Sequence, residues 1–121
     1  PEGFEQGYYC KPTIFTEVNN SMTIAQEEIF GPVLVMIPFD DDYQAIAIAN
    51  DTPYGLAAYI HSGDKQRAIN MARKIRAGML RINGADQHYT SPFGGYKQSG
   101  NGREWGEFGF DDFLEIKALS L

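Results

Sequence analysis

Along this chain the apolar positions switch repeatedly between the short period of a strand and the longer period of a helix. Thr13 to Val18 is β-prone, with Ile14, Phe15 and Val18, and the polar Asn19, Asn20 and Ser21 mark a turn after it. Val33 to Phe39 is a short apolar run bounded by Gly31-Pro32 and by three aspartates, which predicts a strand buried on both faces. Asp40, Asp41 and Asp42 are placed to cap a helix over Tyr43 to Asn50, where Ala45, Ile46 and Ala49 recur at helical spacing, and "NDTPYG" ends it with turn chemistry. Leu56 to His61 reads as the next strand.

Asp64 opens the clearest helix. Ala68, Met71, Ala72 and Ile75 share one face, Arg73, Lys74 and Arg76 crowd the last turn, and Gly78 supplies the stop. Met79 to Asn83 is a further strand, followed by a polar, glycine-rich stretch from Gly84 to Gly102, a helical turn from about Arg103 and a final strand from Phe113 to Leu121. Strand and helix in alternation, with buried strands, predict an α/β fold: a three-layer αβα sandwich with a mainly parallel sheet.

Charge and length narrow the function classes. Ten Lys and Arg against sixteen Asp and Glu give a net charge of −6, a field that repels phosphate backbones and anionic lipid, so neither nucleic acid nor a membrane surface is expected as partner. The longest wholly apolar run, Val33 to Ile37, is far short of the roughly 20 residues that span a bilayer. The single cysteine excludes an internal disulfide, which fits a reducing, cytoplasmic setting. At 121 residues the chain has the length of one domain, and its start at Pro1 rather than at methionine suggests a piece cut from something longer.

No catalytic set stands out. There is no Gly-x-Gly-x-x-Gly after a strand, and "GGYKQSGNG" fails as a phosphate loop because Asn101, not lysine, follows Gly100. His61 and His88 are far apart and lack a carboxylate at ligand spacing, so no metal site is expected. Cys10, in "GYYCKPT", has no base in view and reads as a structural or exposed thiol rather than a nucleophile. Two patterned loops are left. One is "EEIFGP", residues 27 to 32, with two acids set against an apolar run. The other is "SPFGGYKQSGNGRE", residues 91 to 104, a length of loop that inside a domain is usually functional or disordered, and Phe93 and Tyr96 argue against disorder.

Five blocks in order, "GYYCKPTIF", "QEEIFGPVLVMIPF", "ANDTPYGLAAYIHS", "AGMLRINGA" and "PFGGYKQSGNGREWGEFGFDDFLEIK", resemble the C-terminal part of NAD(P)-dependent aldehyde dehydrogenases across essentially the whole chain. The resemblance implies that Glu28 accepts hydrogen bonds from the ribose hydroxyls beside the nicotinamide of NAD or NADP, a task suited to the two oxygens of a carboxylate. It implies that Phe30 packs near the nicotinamide ring, that Gly31 and Pro32 fix the turn into the strand, and that Glu27 faces solvent. Phe93 matches a residue lining the aldehyde tunnel, although a phenylalanine anchoring the loop in the core is an equal and compatible reading.

In that family the nucleophilic cysteine, in a G-Q-x-C block, and the general base lie upstream, so this chain is expected to hold no catalytic residue. Residues 1–112 would then be the cofactor-contacting end of the catalytic region, and 113–121 an oligomerisation strand. Its alternation of Phe113, Glu115, Lys117 and Leu119 against Leu114, Ile116, Ala118 and Leu121 suits an edge seeking partners in the parent chain and in a second subunit of a homodimer or homotetramer. Two alternatives stay open: a free-standing, non-catalytic interaction module, and a fragment of an acylating relative that passes the acyl group to coenzyme A.

Overall fold

The computed structural model describes residues 2–121. The chain divides into two compact units, 1–52 and 53–121, and each repeats one theme: two parallel strands joined through a helix.

In the first unit, β1 (Thr13–Phe15) and β2 (Val33–Val35) pair in parallel with Thr13 opposite Val33 and Phe15 opposite Val35. Between them lies the short α1 (Thr23–Gln26), and α2 (Asp42–Asn50) follows. Both strands are shorter than the apolar runs predict, for identifiable reasons. Glu17 takes a positive φ of 57°, which ends β1, and Pro38 has no N–H to offer beyond the last ladder bond, from the Met36 N–H to the Phe15 carbonyl. The predicted two-sided burial of β2 is not observed. Leu34 is 57% exposed, and Val33 and Val35 are half-buried.

Asp41 is the capping acid among the three, its side chain accepting from the Gln44 N–H at 2.8 Å. The half-buried apolar residues of α2 are Ala45, Ile46 and Ile48, whereas Ala49 is exposed, so the helix presents a face one position away from the predicted one. The predicted turn at Asn19 to Ser21 is present: Asn19 Oδ1 accepts from the Ser21 N–H, and the Asn19 carbonyl accepts from the Met22 N–H. Asn20 Nδ2 and Gln26 Nε2 donate to backbone carbonyls at the end of α2, Ile48 and Asp51 respectively, and so tie the turn and α1 to that helix.

In the second unit, β3 (Ala57–Ile60) and β4 (Met79–Ile82) pair in parallel through α3 (Lys65–Ala72). Asp64 caps α3 by accepting from the Arg67 N–H. Ala68, fully buried, heads a face continued by the half-buried Met71, Ala72 and Ile75, as the sequence predicts. The helix ends at Ala72, so Arg73 and Lys74 lie beyond it in a tightened turn, Arg76 lies in the irregular stretch that follows, and Gly78 is not its stop. Gly78 has a different task. Its N–H donates to the Gly55 carbonyl at 3.0 Å, and a Cβ placed on it would lie 1.9 Å from the Gly94 carbonyl oxygen. The same Gly55 carbonyl accepts from the Tyr96 N–H, and Gly55 N–H donates to Ser99 Oγ. Three stretches of backbone therefore meet where side chains cannot fit.

The glycine-rich stretch includes a 3-10 turn at Lys97–Ser99, and the predicted helical turn begins later than expected, as α4 (Phe108–Asp111). Residues 113–121 form no strand. Among the described residues no ladder partner meets them, and Ile116, Leu119 and Leu121 lie open to solvent. A strand needs a neighbour for its backbone groups, and alternation of side chains alone does not make one. No helix of the described residues is long and apolar enough to cross a membrane.

The glycine contact is open to test. Gly78→Ala should cost about 1–3 kcal/mol of stability in urea unfolding, the usual range for forcing atoms into a filled site, whereas Gly63→Ala, where a Cβ meets nothing within 4 Å, should be neutral. Equal midpoints for the two variants would show that the backbones separate at no cost.

Candidate functional site

The acid loop leaves α1 through Glu27, whose N–H donates to the Thr23 carbonyl, and enters β2 through a three-residue turn in which the Val33 N–H donates to the Gly31 carbonyl at 2.8 Å. Pro32, at the centre of that turn, gives its carbonyl to the Thr13 N–H and so joins the loop to the start of β1. Both ends of the loop are thus anchored while its crest is open. Glu27 and Glu28 are exposed, and among the described residues the Glu28 carboxylate has neither a hydrogen bond nor an ion pair.

Phe30 is 90% exposed and has a φ of +52°, a left-handed conformation that is unusual for a bulky side chain and costs about 1–2 kcal/mol. Cys10 lies at the foot of this loop, its Sγ 4.0 Å from where a Cβ on Gly31 would stand, and it is an exposed, unpaired thiol.

The second loop belongs to the other unit and is tightly built. Phe93 and Glu104 exchange both backbone hydrogen bonds at 2.7 Å, an isolated antiparallel bridge that closes the loop at its base. The Phe93 ring packs on Trp105 at 5.2 Å between centroids, and Trp105 packs in turn on Tyr89 at 4.8 Å. Phe93 is half-buried, so its ring both anchors the loop and leaves part of itself accessible. Trp105 and Gly106 both have positive φ, which reverses the chain after the bridge.

Arg103 organises the interior. Its Nη1 donates to the carbonyls of Gly95, Asn101 and Gly102 at 2.8 to 3.0 Å, its guanidinium lies 5.5 Å from the Tyr96 ring centre, and its N–H donates to Asp112. A cavity of about 250 Å³ opens beside it, lined by Phe93, Gly94, Ser99, Arg103 and Asp112 among others. Sequence reasoning passed over Arg103. A signal was available: a loop crowded with glycine carbonyls needs donors, and "GNGRE" offers a guanidinium beside them.

Asn83, the end of the predicted strand, has a further task. Its amide clamps Ser62, with Oδ1 accepting from the Ser62 N–H at 2.8 Å and Nδ2 donating to the Ser62 carbonyl at 2.9 Å, and this extends the β3–β4 pairing by one side chain. The dipeptide Asn83-Gly84 hinted at it, since asparagine tolerates the φ of +52° found there. Among the described residues no group of three or more His, Cys, Asp and Glu could hold a metal ion, and His61 and His88 are both exposed.

The profile of the aldehyde dehydrogenase family matches residues 1–119. This chain belongs to the aldehyde dehydrogenase family. It is 58% identical over 119 residues to a 3-succinoylsemialdehyde-pyridine dehydrogenase of a Pseudomonas species, covering 98% of this chain and 25% of that protein. Its fold is that of the aldehyde dehydrogenases as well. The crystal structure of aldehyde dehydrogenase C from Pseudomonas syringae, complexed with NAD+ and octanal, superposes with a TM-score of 0.91 at 52% identity over 98% of this chain and 24% of that one. An aldehyde dehydrogenase of Mycobacterium tuberculosis complexed with NAD+ gives a TM-score of 0.87 at 51% identity, over 93% and 23%. The chain therefore spans about a quarter of the length of the aldehyde dehydrogenases it matches.

The role of Arg103 within this aldehyde dehydrogenase segment can be measured. Arg103→Lys keeps the charge but replaces a planar fork by a single ammonium, and the loss should cost about 1.5–3 kcal/mol, the range for hydrogen bonds to charged groups. Amide exchange at Phe93 and Glu104 should accelerate in the variant, and unchanged protection there would remove the guanidinium from the loop's support.

Proposed function

We propose that this chain is the C-terminal quarter of an NAD(P)-dependent aldehyde dehydrogenase, in which it binds the nicotinamide end of the cofactor, lines part of the aldehyde tunnel and joins subunits. The parent enzyme oxidises an aldehyde to a carboxylic acid through a cysteine thioester, with the nucleophile and the general base supplied by the part of the enzyme preceding this one. The observation that carries the reading is the acid loop: an exposed carboxylate without a partner among the described residues, two residues from an exposed aromatic ring on strained backbone.

The residues present fit the cofactor. Both Glu28 oxygens are free to accept from a cis-diol, and the open face of Phe30 suits a flat heteroaromatic ring. When bound, the dinucleotide supplies the two-electron oxidising equivalent. The task of Glu28 and Phe30 is to hold its nicotinamide end in one orientation, which matters because a small misplacement at a reacting centre carries a large kinetic penalty. Two of the relatives above were crystallised with NAD+, which supports this assignment.

Phe93 takes the tunnel role, its ring steadied by Trp105 so that it gives the aldehyde path a fixed apolar wall. For the tail, the support is its unburied apolar content: Phe113 is 83% exposed and Ile116 97%. A surface of that kind is covered in a working protein, and the reading assigns the cover to the parent chain and a second subunit.

Two measurements on the full-length enzyme test these roles. Glu28→Gln keeps the shape but weakens the charge-assisted bonds to the ribose, so the rate of the redox step should fall by an amount corresponding to about 1–3 kcal/mol; unchanged cofactor affinity together with unchanged turnover would remove Glu28 from the site. Deleting residues 114–121 should lower the oligomeric state, read by sedimentation, before it disturbs cofactor binding, and a truncated enzyme of the same size at the same concentration would sink the bridging role.

A further inference from the structure

We infer that Arg81 is a positioning residue for the aldehyde tunnel, acting through Gln87 on the segment 84–92 that leads into Phe93; the inference rests on the tunnel role proposed for Phe93.

Arg81 stands on β4 with its side chain half-buried. Its Nη2 donates to Gln87 Oε1, and its guanidinium lies 5.8 Å from the ring centre of Tyr59 on the paired strand β3. Gln87 is gripped from its other end too, since its Nε2 donates to Met79 Sδ at 3.2 Å. Met79 and Arg81 are two residues apart on one strand, so they project from the same face, and one carboxamide spans both. This satisfies the acceptor and one donor of Gln87 with side chains that belong to rigid backbone.

The rest of the segment shows why the grip matters. Its start is fixed at Asn83 by the clamp on Ser62, and its end by the bridge of Phe93 with Glu104. On its outer side the Tyr89 carbonyl accepts from the Gly106 N–H, and the Tyr89 ring packs on Trp105. On its inner side Gln87 is hydrogen-bonded to two β4 side chains, Arg81 and Met79. Between segment and strand lies a cavity of about 210 Å³ lined by Met79, Arg81, Asp86, Gln87, His88 and Ser91. The Arg81–Gln87–Met79 connection spans this space and ties the segment to β4 by side-chain hydrogen bonds. Pro92, the last residue of that segment, passes its position directly to Phe93.

The test uses the full-length enzyme with the variants Arg81→Met, Gln87→Leu, their combination, Gln87→Glu and Phe93→Ala. Arg81→Met and Gln87→Leu should each raise KM for the aldehyde about fivefold, the equivalent of one ordinary hydrogen bond, with kcat and the KM for the dinucleotide unchanged. The combination should raise it no further than either alone, because both changes cut the same connection. Gln87→Glu, which keeps an acceptor for Arg81, should restore most of the affinity lost in Gln87→Leu. Amide exchange over residues 84–92, measured without aldehyde, should accelerate in Arg81→Met.

Unchanged exchange in Arg81→Met overturns the grip. Accelerated exchange with an unmoved aldehyde KM, where Phe93→Ala does move it, overturns the link from grip to tunnel, and so do additive effects in the combination. An aldehyde KM unmoved by Phe93→Ala overturns the reading of Phe93, and with it the kinetic half of this inference, and is told apart from a failed grip by the exchange measurement.

Discussion

One carbonyl organises the second unit. The Gly55 oxygen accepts from both Gly78 and Tyr96, which requires the start of β3, the start of β4 and the glycine-rich loop to meet backbone to backbone. Only residues without a Cβ permit that approach, and Gly78 faces Gly94 across a gap that would place a methyl group 1.9 Å from an oxygen. From this junction the loop departs with fixed direction in both senses of the chain. Phe93 lies just before the junction, and Arg103 reaches back to the Gly95 carbonyl from the far side. The cavity beside Phe93 is what is left between these fixed walls.

The two candidate loops solve opposite problems. The second is rigid and internally satisfied: three carbonyls converge on one guanidinium, and a backbone bridge closes its base. The acid loop is anchored at its two ends, by the end of α1 and the turn at Pro32, and its crest presents Glu28 and Phe30 to solvent. Its strain at Phe30 is consistent with a backbone selected for what it presents rather than for its own stability.

Much of this was legible in the sequence where the signal is local. The helix caps at Asp41 and Asp64, the turn at Asn19 and the parallel α/β class follow from short patterns whose physics acts within a few residues. Signals that depend on a neighbour misled. Gly78 looks like a helix stop because glycine usually serves there, yet its contact lies sixteen positions along the chain, at Gly94, where spacing gives no hint. The tail alternates like a strand and pairs with nothing among the described residues, since pairing is a property of two segments. Glu28, Phe30 and Phe93 are candidates from the family pattern, while Arg103, Gln87 and Asn83 gain their structural roles from contacts that local spacing does not reveal.

The Asn83 clamp bears on how this protein ages. An asparagine followed by glycine is chemically fragile, because the small neighbour lets its backbone nitrogen swing onto the side-chain carbonyl carbon, expel ammonia and form a cyclic imide that water reopens to aspartate or isoaspartate. At Asn83 both atoms of the carboxamide are held by Ser62, so the group cannot rotate into that attack without first opening the end of the β3–β4 pair. Asn101, also followed by glycine, is exposed and has no side-chain hydrogen bond among the described residues. Of the two Asn-Gly steps, the one that closes the sheet is restrained by its own structural hydrogen bonds, a restraint that the step in the glycine-rich loop does not share among the described residues.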